Sequence, residues 1–153
     1  MALTSVMVRV SNPADRSRGV EAEMLVDSGA IFSVVPAGEL ERMGIVPDKT
    51  ERFSLADGSS VTRPVGIARF EIAGRSGGAP VIFGEPGDVW LLGARSLESL
   101  GLVLDPLKRE LRPMRLVLYA TGAAGVSRAV TISASGSSRT PARGSMTSRP
   151  CRG

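Results

Sequence analysis

Residues 20–35 read VEAEMLVDSGAIFSVV, and the interpretation of the whole chain depends on this stretch. A β-prone run leads into Asp27-Ser28-Gly29, and a second apolar run follows it. Segments this apolar are expected to be buried, and a buried carboxylate is costly unless it is hydrogen-bonded or shares a proton. The alternative is a surface turn, because Asp, Ser and Gly all favour turns. The triplet is common by chance, so its meaning depends on the residues around it.

The composition excludes several kinds of chemistry. The chain has 153 residues, no His and one Cys, Cys151. Ser-His-Asp catalysis, Cys-His catalysis and His-ligated metals are therefore excluded, and one Cys forms neither an intrachain disulfide nor a Cys zinc cluster. Catalysis would have to use carboxylates, hydroxyls, Lys or Arg, and we expect no metal and no other cofactor.

The net charge of +4 comes from the C-terminal residues. Five of the 19 basic residues lie in residues 120–153, which contain no acid, so residues 1–119 hold 14 basic and 15 acidic side chains. The folded part gives no reason to expect a nucleic-acid partner. The Gly, Ser, Arg and Pro of the end segment bury too little apolar area to offset its ordering entropy. We expect a domain over 1–119 and a disordered basic tail over 120–153, inert rather than bound to an anionic surface.

The sequence also bears on location. No apolar run approaches the ~20 residues of a membrane-spanning helix. The first residues lack the basic segment and long apolar stretch of a signal peptide. We therefore expect a cytoplasmic protein with no membrane partner.

Short β-strands dominate the pattern. Residues 3–10 alternate as a strand does, and 20–26 and 31–35 flank the central triplet. Two further strand-like runs flank an Asp-Gly turn, an arrangement typical of a β-hairpin. We predict an all-β domain with two short helices. The remaining predicted segments are a helix over 36–44, the hairpin runs 51–55 and 61–72, a loop over 74–80, a short strand over 81–83, an apolar segment over 88–93, a helix over 95–101, a closing hairpin over 102–111 and a last strand over 115–119.

Three motifs stand in a fixed order along these elements: Asp27-Ser28-Gly29-Ala30 between strands, a hairpin tip at 56–59, and Trp90-Leu91-Leu92-Gly93 before a helix. This order resembles the retropepsin-like aspartic proteases, especially their small stand-alone bacterial and archaeal members. Residues 101–106, Gly-Leu-Val-Leu-Asp-Pro, also resemble the family's closing strand and turn. The resemblance covers about residues 3–115. It implies a closed β-barrel with one or two short helices, a single lobe that pairs as a homodimer.

The resemblance implies a role for the central motif. Asp27 would be the catalytic acid, and Ser28, Gly29 and Ala30 would support its loop. The Ser28 hydroxyl, where the family more often has Thr, would hydrogen-bond across the dimer. Gly29 would let the backbone approach the reacting groups closely.

The two later motifs have implied roles of their own. Ala56, Asp57, Gly58 and Ser59 would form a flap that binds the substrate, with Asp57 as a turn residue rather than a catalyst. The flap motif could equally be an ordinary hairpin turn.

Leu91, Leu92 and Gly93 would pack beneath the loop, which is compatible with an ordinary buried strand. Arg95 follows them, at a position where relatives often hold a structural Arg or Asn. The resemblance suggests that it pairs with an acid at the dimer interface.

The implied activity needs two carboxylates. Peptide hydrolysis needs one group that accepts a proton from water and another that donates one to the substrate. The chain has one Asp-Ser-Gly, so a second Asp27 would come from another copy in a twofold dimer. We expect an aspartic endopeptidase acting on a peptide or protein. The alternative is a catalytically weak or inactive dimerisation or peptide-binding module of the same fold, and nucleic-acid binding through the Arg-rich tail has little support.

Overall fold

A computed structural model describes residues 3–121 and 127–132. The described strands are β1 (Thr4–Ser11), β2 (Gly19–Val26), β3 (Ser33–Pro36), β4 (Lys49–Ser54), β5 (Ser60–Ile72), β6 (Arg75–Gly84), β7 (Leu91–Leu92), β8 (Leu102–Asp105), β9 (Glu110–Pro113), β10 (Leu116–Thr121) and β11 (Ser127–Ile132). The described helices are α1 (Ala37–Arg42) and α2 (Ala94–Ser99). The predicted all-β class with two short helices is confirmed.

The main sheet closes on itself. Its strand order is β1-β2-β7-β3-β6-β5-β4, and β1 pairs with β5 as well as with β2. Six strands therefore form a ring, and β4 extends β5 outside it, so the predicted closed barrel is also confirmed. The pairs β8–β9 and β10–β11 form two separate two-stranded sheets.

Alternating apolar residues fill the barrel. Val8 and Val10 of β1 and Met24 of β2 are at most 1% exposed, as the two-residue period of a strand requires. The two helices cover the ends of this core with Leu40 and Leu97, which are also buried. Burying each such side chain contributes about 1.5–3 kcal/mol, so the barrel is a rigid base for the loops at its edge.

Strand β7 positions the Asp27 loop. It pairs in parallel with the end of β2, where Val26 lies opposite Leu92. It also pairs antiparallel with β3, where Val34 lies opposite Leu91. Since β2 leads into the loop and β3 leaves it, two residues of β7 hold both ends of the loop.

The predicted loop over residues 74–80 is wrong, because residues 75–80 belong to β6 and only Gly74 lies in the turn before it. Strands β5 and β6 form a hairpin in which Ile72 pairs with Arg75 across a two-residue turn. Both turn residues, Ala73 and Gly74, have positive φ angles of 49° and 80°, which suits the twist of paired strands. One of the glycines that suggested a loop, Gly77, serves packing instead. A Cβ on Gly77 would lie 2.4 Å from the carbonyl oxygen of Ser99, so α2 lies directly against this strand.

Other boundaries also differ from the prediction. The third strand begins at Ser33 rather than at residue 31. Residues Ser127–Ile132 form a strand paired with β10, although they lie in the segment predicted to be disordered. Val130, Thr131 and Ile132 are β-branched residues, which favour strands. Residues 122–126 and 133–153 of the predicted tail lie outside the described residues, so the domain boundary stays a prediction.

Neither described helix exceeds six residues, and no helix in the described part of the chain could cross a membrane. The cytoplasmic location stays a prediction from the sequence.

The close approach of β6 to α2 predicts unequal effects of alanine at two neighbouring glycines. Gly77→Ala places a methyl group against the Ser99 backbone, so we expect it to lower the free energy of unfolding by about 1–3 kcal/mol. Gly78→Ala is the matched control, because its nearest neighbour would be 3.9 Å away. Urea unfolding of both variants measures the difference. Equal stability of the two variants would contradict the packing described here.

Candidate active site

The backbone of the Asp27 loop is fixed by hydrogen bonds. The Asp27 N–H donates to the Leu92 carbonyl at 3.0 Å, and the Ala30 N–H donates to the Asp27 carbonyl at 3.3 Å. The Asp27 carboxylate accepts the Gly29 N–H through Oδ1 at 2.9 Å. This contact uses only one of the two carboxylate oxygens, and it fixes the orientation of the carboxyl group within the turn.

The second half of the loop is held by the start of α2. The Ala94 N–H donates to the Ala30 carbonyl at 2.7 Å, and the Arg95 N–H donates to the Ile31 carbonyl at 3.1 Å. These are amide groups of the first helical turn, which have no partner within a helix. The chain passes so close at Gly93 that a Cβ there would lie 2.6 Å from the Phe32 carbonyl carbon and oxygen. A side chain at Gly93 would therefore push the loop away.

Two buried hydroxyl groups lie at the same junction. The Oγ atoms of Ser33 and Ser96 are 2.6 Å apart, and the Gly93 N–H donates to Ser33 Oγ at 2.9 Å. Both serines are fully buried. Neither was among the predicted site residues, and no local sequence pattern could pair residues 63 positions apart.

The carboxylate itself is not buried within one chain. Asp27, Ser28 and Gly29 are all exposed, which differs from the burial expected from the flanking apolar runs. Those runs are buried at Val26 and Ser33, but the loop between them projects from the edge of the barrel. Within residues 3–118, the Ser28 hydroxyl makes no hydrogen bond, so any partner it has must come from elsewhere.

The β4–β5 hairpin forms an exposed tip. Residues 56–59 close the turn, with the Leu55 N–H donating to the Ser59 carbonyl at 2.8 Å and the Gly58 N–H donating to the Leu55 carbonyl at 3.0 Å. Gly58 has a φ of 85°, and nothing lies within 4 Å of its missing Cβ. The turn at Gly58 is therefore not packed against the barrel.

The carboxylate of Asp57 is used in the turn. The Ser59 hydroxyl donates to Asp57 Oδ1 at 2.5 Å, and the Ser59 N–H donates to the same oxygen at 2.8 Å. These bonds, the hydroxyl first, hold the pKa of Asp57 below its ordinary value of 3.8. An exposed carboxylate with a lowered pKa is a poor proton donor, so this arrangement suits a turn residue.

A cleft of about 330 Å³ lies between this hairpin and the barrel. Apolar side chains from the hairpin and from β3, β6 and β7 line most of it: Val34, Phe53, Leu55, Val61, Ile82 and Leu91. The charged groups in its wall are Arg63 and Asp88. The Arg63 side chain is only 18% exposed and forms an ion pair with Glu85. The Asp88 carboxylate accepts the Glu85 N–H at 2.7 Å, so the cleft is mainly apolar with charged groups in one part of its wall. Strands β3 and β7 also hold the Asp27 loop, so the cleft adjoins it.

Aromatic contacts connect the loop to the hairpin. The rings of Phe32 and Phe53 meet edge to face, with centroids 5.8 Å apart at 88°. The Arg95 guanidinium lies over the Phe32 ring at 5.8 Å from its centroid, so within one chain this cation contacts an aromatic ring. The predicted interface ion pair of Arg95 stays a prediction. No sequence pattern connects the two Phe residues, because each lies in a different predicted element.

No group of three or more His, Cys, Asp or Glu residues in the described part of the chain could hold a metal ion. The site combines the oriented Asp27 carboxylate with a mainly apolar cleft, whose wall includes residues of the two strands that hold the Asp27 loop.

The hydrogen bonds at the hairpin tip predict a change in titration. Ser59→Ala removes the strongest donor to Asp57, so we expect the pKa of Asp57 to rise toward 3.8, as measured by carbon-13 NMR of the carboxyl group. The folded-state pKa is lowered, so this contribution to stability is present above the unfolded value and is lost as the pH falls through the lowered one. Ser60→Ala is the control, because the Ser60 hydroxyl bonds Arg52 instead. An unchanged pKa in Ser59→Ala would contradict this assignment.

Three solved structures similar to the chain come from retroviruses. The Simian Foamy Virus (mac) protease in solution is 22% identical, with a TM-score of 0.43 over 61% of this chain and 92% of that chain. The foamy viral protease-reverse transcriptase in complex with an RNA/DNA hybrid is 17% identical, with a TM-score of 0.49 over 77% of this chain and 13% of that chain. The EIAV protease complexed with the inhibitor HBY-793 is 18% identical, with a TM-score of 0.46 over 65% of this chain and 89% of that chain.

The sequence comparison identifies the family. A search of curated proteins gave no match. A family model described as aspartyl protease matches residues 14–95, which is more than half of the chain. The matched part contains the Asp27 loop, the hairpin tip and residues 91–93. The chain therefore belongs to the aspartyl protease family, and the retropepsin-like resemblance inferred from the sequence is confirmed.

Proposed function

We propose that this protein is an aspartic endopeptidase in which two Asp27 carboxylates, one from each subunit of a homodimer, activate a water molecule. The observation that supports this most is the fixed and exposed Asp27 carboxylate, which accepts the Gly29 N–H at the edge of the barrel. The loop around it is tied to β7 and α2, so the carboxyl group is positioned rather than free. The family match covers this loop.

Peptide hydrolysis needs more than one such group. One carboxylate must accept a proton from water, and a second must donate a proton to the carbonyl oxygen or the leaving amine. Two Asp side chains in contact share one proton, because two like charges so close cannot both ionise, and the pair titrates as a unit. The chain contains one Asp-Ser-Gly, so the proposal takes the second carboxylate from another copy.

The other motifs have roles on this proposal. The exposed Ser28 hydroxyl would hydrogen-bond to the partner subunit's loop, while Gly29 and Ala30 shape the turn. The residues Ala56–Ser59 would close over an extended peptide through their backbone, with Gly58 allowing the movement. The apolar cleft would take a substrate side chain. The ligand is a peptide or protein, and no cofactor is needed.

The proposal predicts the behaviour of Asp27→Asn. The substitution removes the carboxylate without changing the volume of the side chain, so we expect folding and dimerisation to persist and cleavage to be lost. Cleavage of casein from pH 3 to pH 8, with sedimentation of both proteins, measures this. When equal amounts of wild type and Asp27→Asn exchange subunits at random, about a quarter of the dimers carry two Asp27 side chains. If the two carboxylates act as a pair, the mixture has about a quarter of the activity of the same total amount of wild type. If each carboxylate acts alone, it has about a half.

Asp48→Asn is the matched control. Asp48 is exposed and precedes β4, at the end of the hairpin opposite the tip, so mixing this variant with wild type should leave activity unchanged. Cleavage by Asp27→Asn would overturn the proposal. Dimers that cleave nothing in either form would favour the peptide-binding module.

A further inference from the structure

The buried serine pair joins two elements that both hold the Asp27 loop. Ser33 is the first residue of β3, directly after the loop, and Ser96 lies in α2. Their Oγ atoms are 2.6 Å apart, and both residues are 0% exposed. The pair therefore connects the end of the loop to the helix whose first N–H groups donate hydrogen bonds to the loop's carbonyl groups.

Burial makes this contact consequential. A hydroxyl group moved from water into an apolar core is unfavourable unless it is hydrogen-bonded, and removing one partner leaves the other unsatisfied. Ser33 Oγ accepts the Gly93 N–H at 2.9 Å and still has a proton and a lone pair for Ser96. The Ser33 hydroxyl, the Ser96 hydroxyl and the Gly93 N–H thus satisfy one another's hydrogen bonds. Alanine at position 33 would leave the other two groups without these bonds.

The residue held by this pair is Gly93, which lies where the loop contacts α2. Its N–H is bound by Ser33, and its missing side chain faces the Phe32 backbone. The preceding residue, Leu92, accepts the Asp27 N–H at 3.0 Å. A shift of Gly93 would therefore move the carbonyl group that fixes the backbone of Asp27.

We propose that Ser33 and Ser96 are positioning residues for Asp27, acting through Gly93 and Leu92. The hydrogen-bonded pair fixes the Gly93 amide, and the Leu92 carbonyl then sets the height of Asp27 above the barrel. The expected effect on catalysis rests on the proposed endopeptidase function, whereas the expected effect on the backbone hydrogen bonds of Gly93 and Asp27 does not. Misplacement of a reacting group affects the rate of the chemical step more than substrate binding.

The chain provides a matched control for this role. Ser11 in β1 is 1% exposed, and its hydroxyl has no hydrogen-bond partner among the described residues. Ser11→Ala and Ser33→Ala delete the same atom from equally buried positions. Only the second deletion removes hydrogen bonds, so the comparison separates the bonded pair from general effects on the core.

The experiment compares Ser33→Ala, Ser96→Ala, the double variant and Ser11→Ala in the full chain. Amide hydrogen exchange at Gly93 and Asp27 is measured by NMR without substrate. We expect exchange at both amides to accelerate about tenfold in Ser33→Ala and to remain unchanged in Ser11→Ala. The double variant should match the stronger single variant, because both single changes break the same network.

The same variants are assayed for peptide cleavage. We expect Ser33→Ala to lower kcat about tenfold with KM within about twofold of wild type, and Ser11→Ala to change neither. Unchanged exchange at Gly93 and Asp27 in Ser33→Ala, or an equal loss of kcat in Ser11→Ala, would overturn the positioning role. The exchange data decide how the loop is held even if the wild type cleaves nothing, so failure of the endopeptidase proposal is distinguishable from failure of this one.

Discussion

The hydrogen bond from the Asp27 N–H to the Leu92 carbonyl is the constraint on which the site depends. It continues the parallel pairing of β2 with β7 by one residue beyond the end of β2. Because β7 also pairs with β3, the same two residues, Leu91 and Leu92, hold both ends of the loop. Leu92 is fully buried, so the acceptor of this bond cannot move without disturbing the barrel. An exposed carboxylate is thereby held by a rigid interior.

The tight junction of loop and helix explains the residue types found there. Carbonyl groups of the loop would lack partners at an irregular turn, and the first N–H groups of α2 would lack partners in a helix, so each satisfies the other. That exchange requires close approach, which only glycine permits at Gly93. The Ser33 hydroxyl, itself hydrogen-bonded to Ser96, accepts the N–H of Gly93, the residue before α2. Packing and hydrogen bonding therefore select the same local arrangement, as expected for a site built on rigid elements.

Part of this arrangement could be predicted from the sequence, because its features are local. Asp27-Ser28-Gly29 between apolar runs, the Asp57-Gly58 turn and the apolar run before Gly93 each depend on neighbouring residues. The contacts of Ser33 with Ser96 and of Phe32 with Phe53 depend on the order of strands in the barrel, which periodicity does not give. The first part of β6 was predicted as a loop for a related reason, since Gly77 reflects packing against α2 rather than a turn.

The exposure of Asp27 also depends on the arrangement of the strands rather than on neighbouring residues, and it bears on the proposed mechanism. Flanking hydrophobicity indicates what the strands bury, but it does not determine what covers a loop at the edge of a barrel. On the proposed mechanism a second copy covers it. Two carboxylates about 4 Å apart repel by about 1 kcal/mol in water but by about 4 kcal/mol at an effective dielectric constant of 20, so only a desolvated pair is forced to share a proton. A single chain can thus supply the geometry of the site, while the electrostatic environment needed for catalysis would arise only when two chains meet.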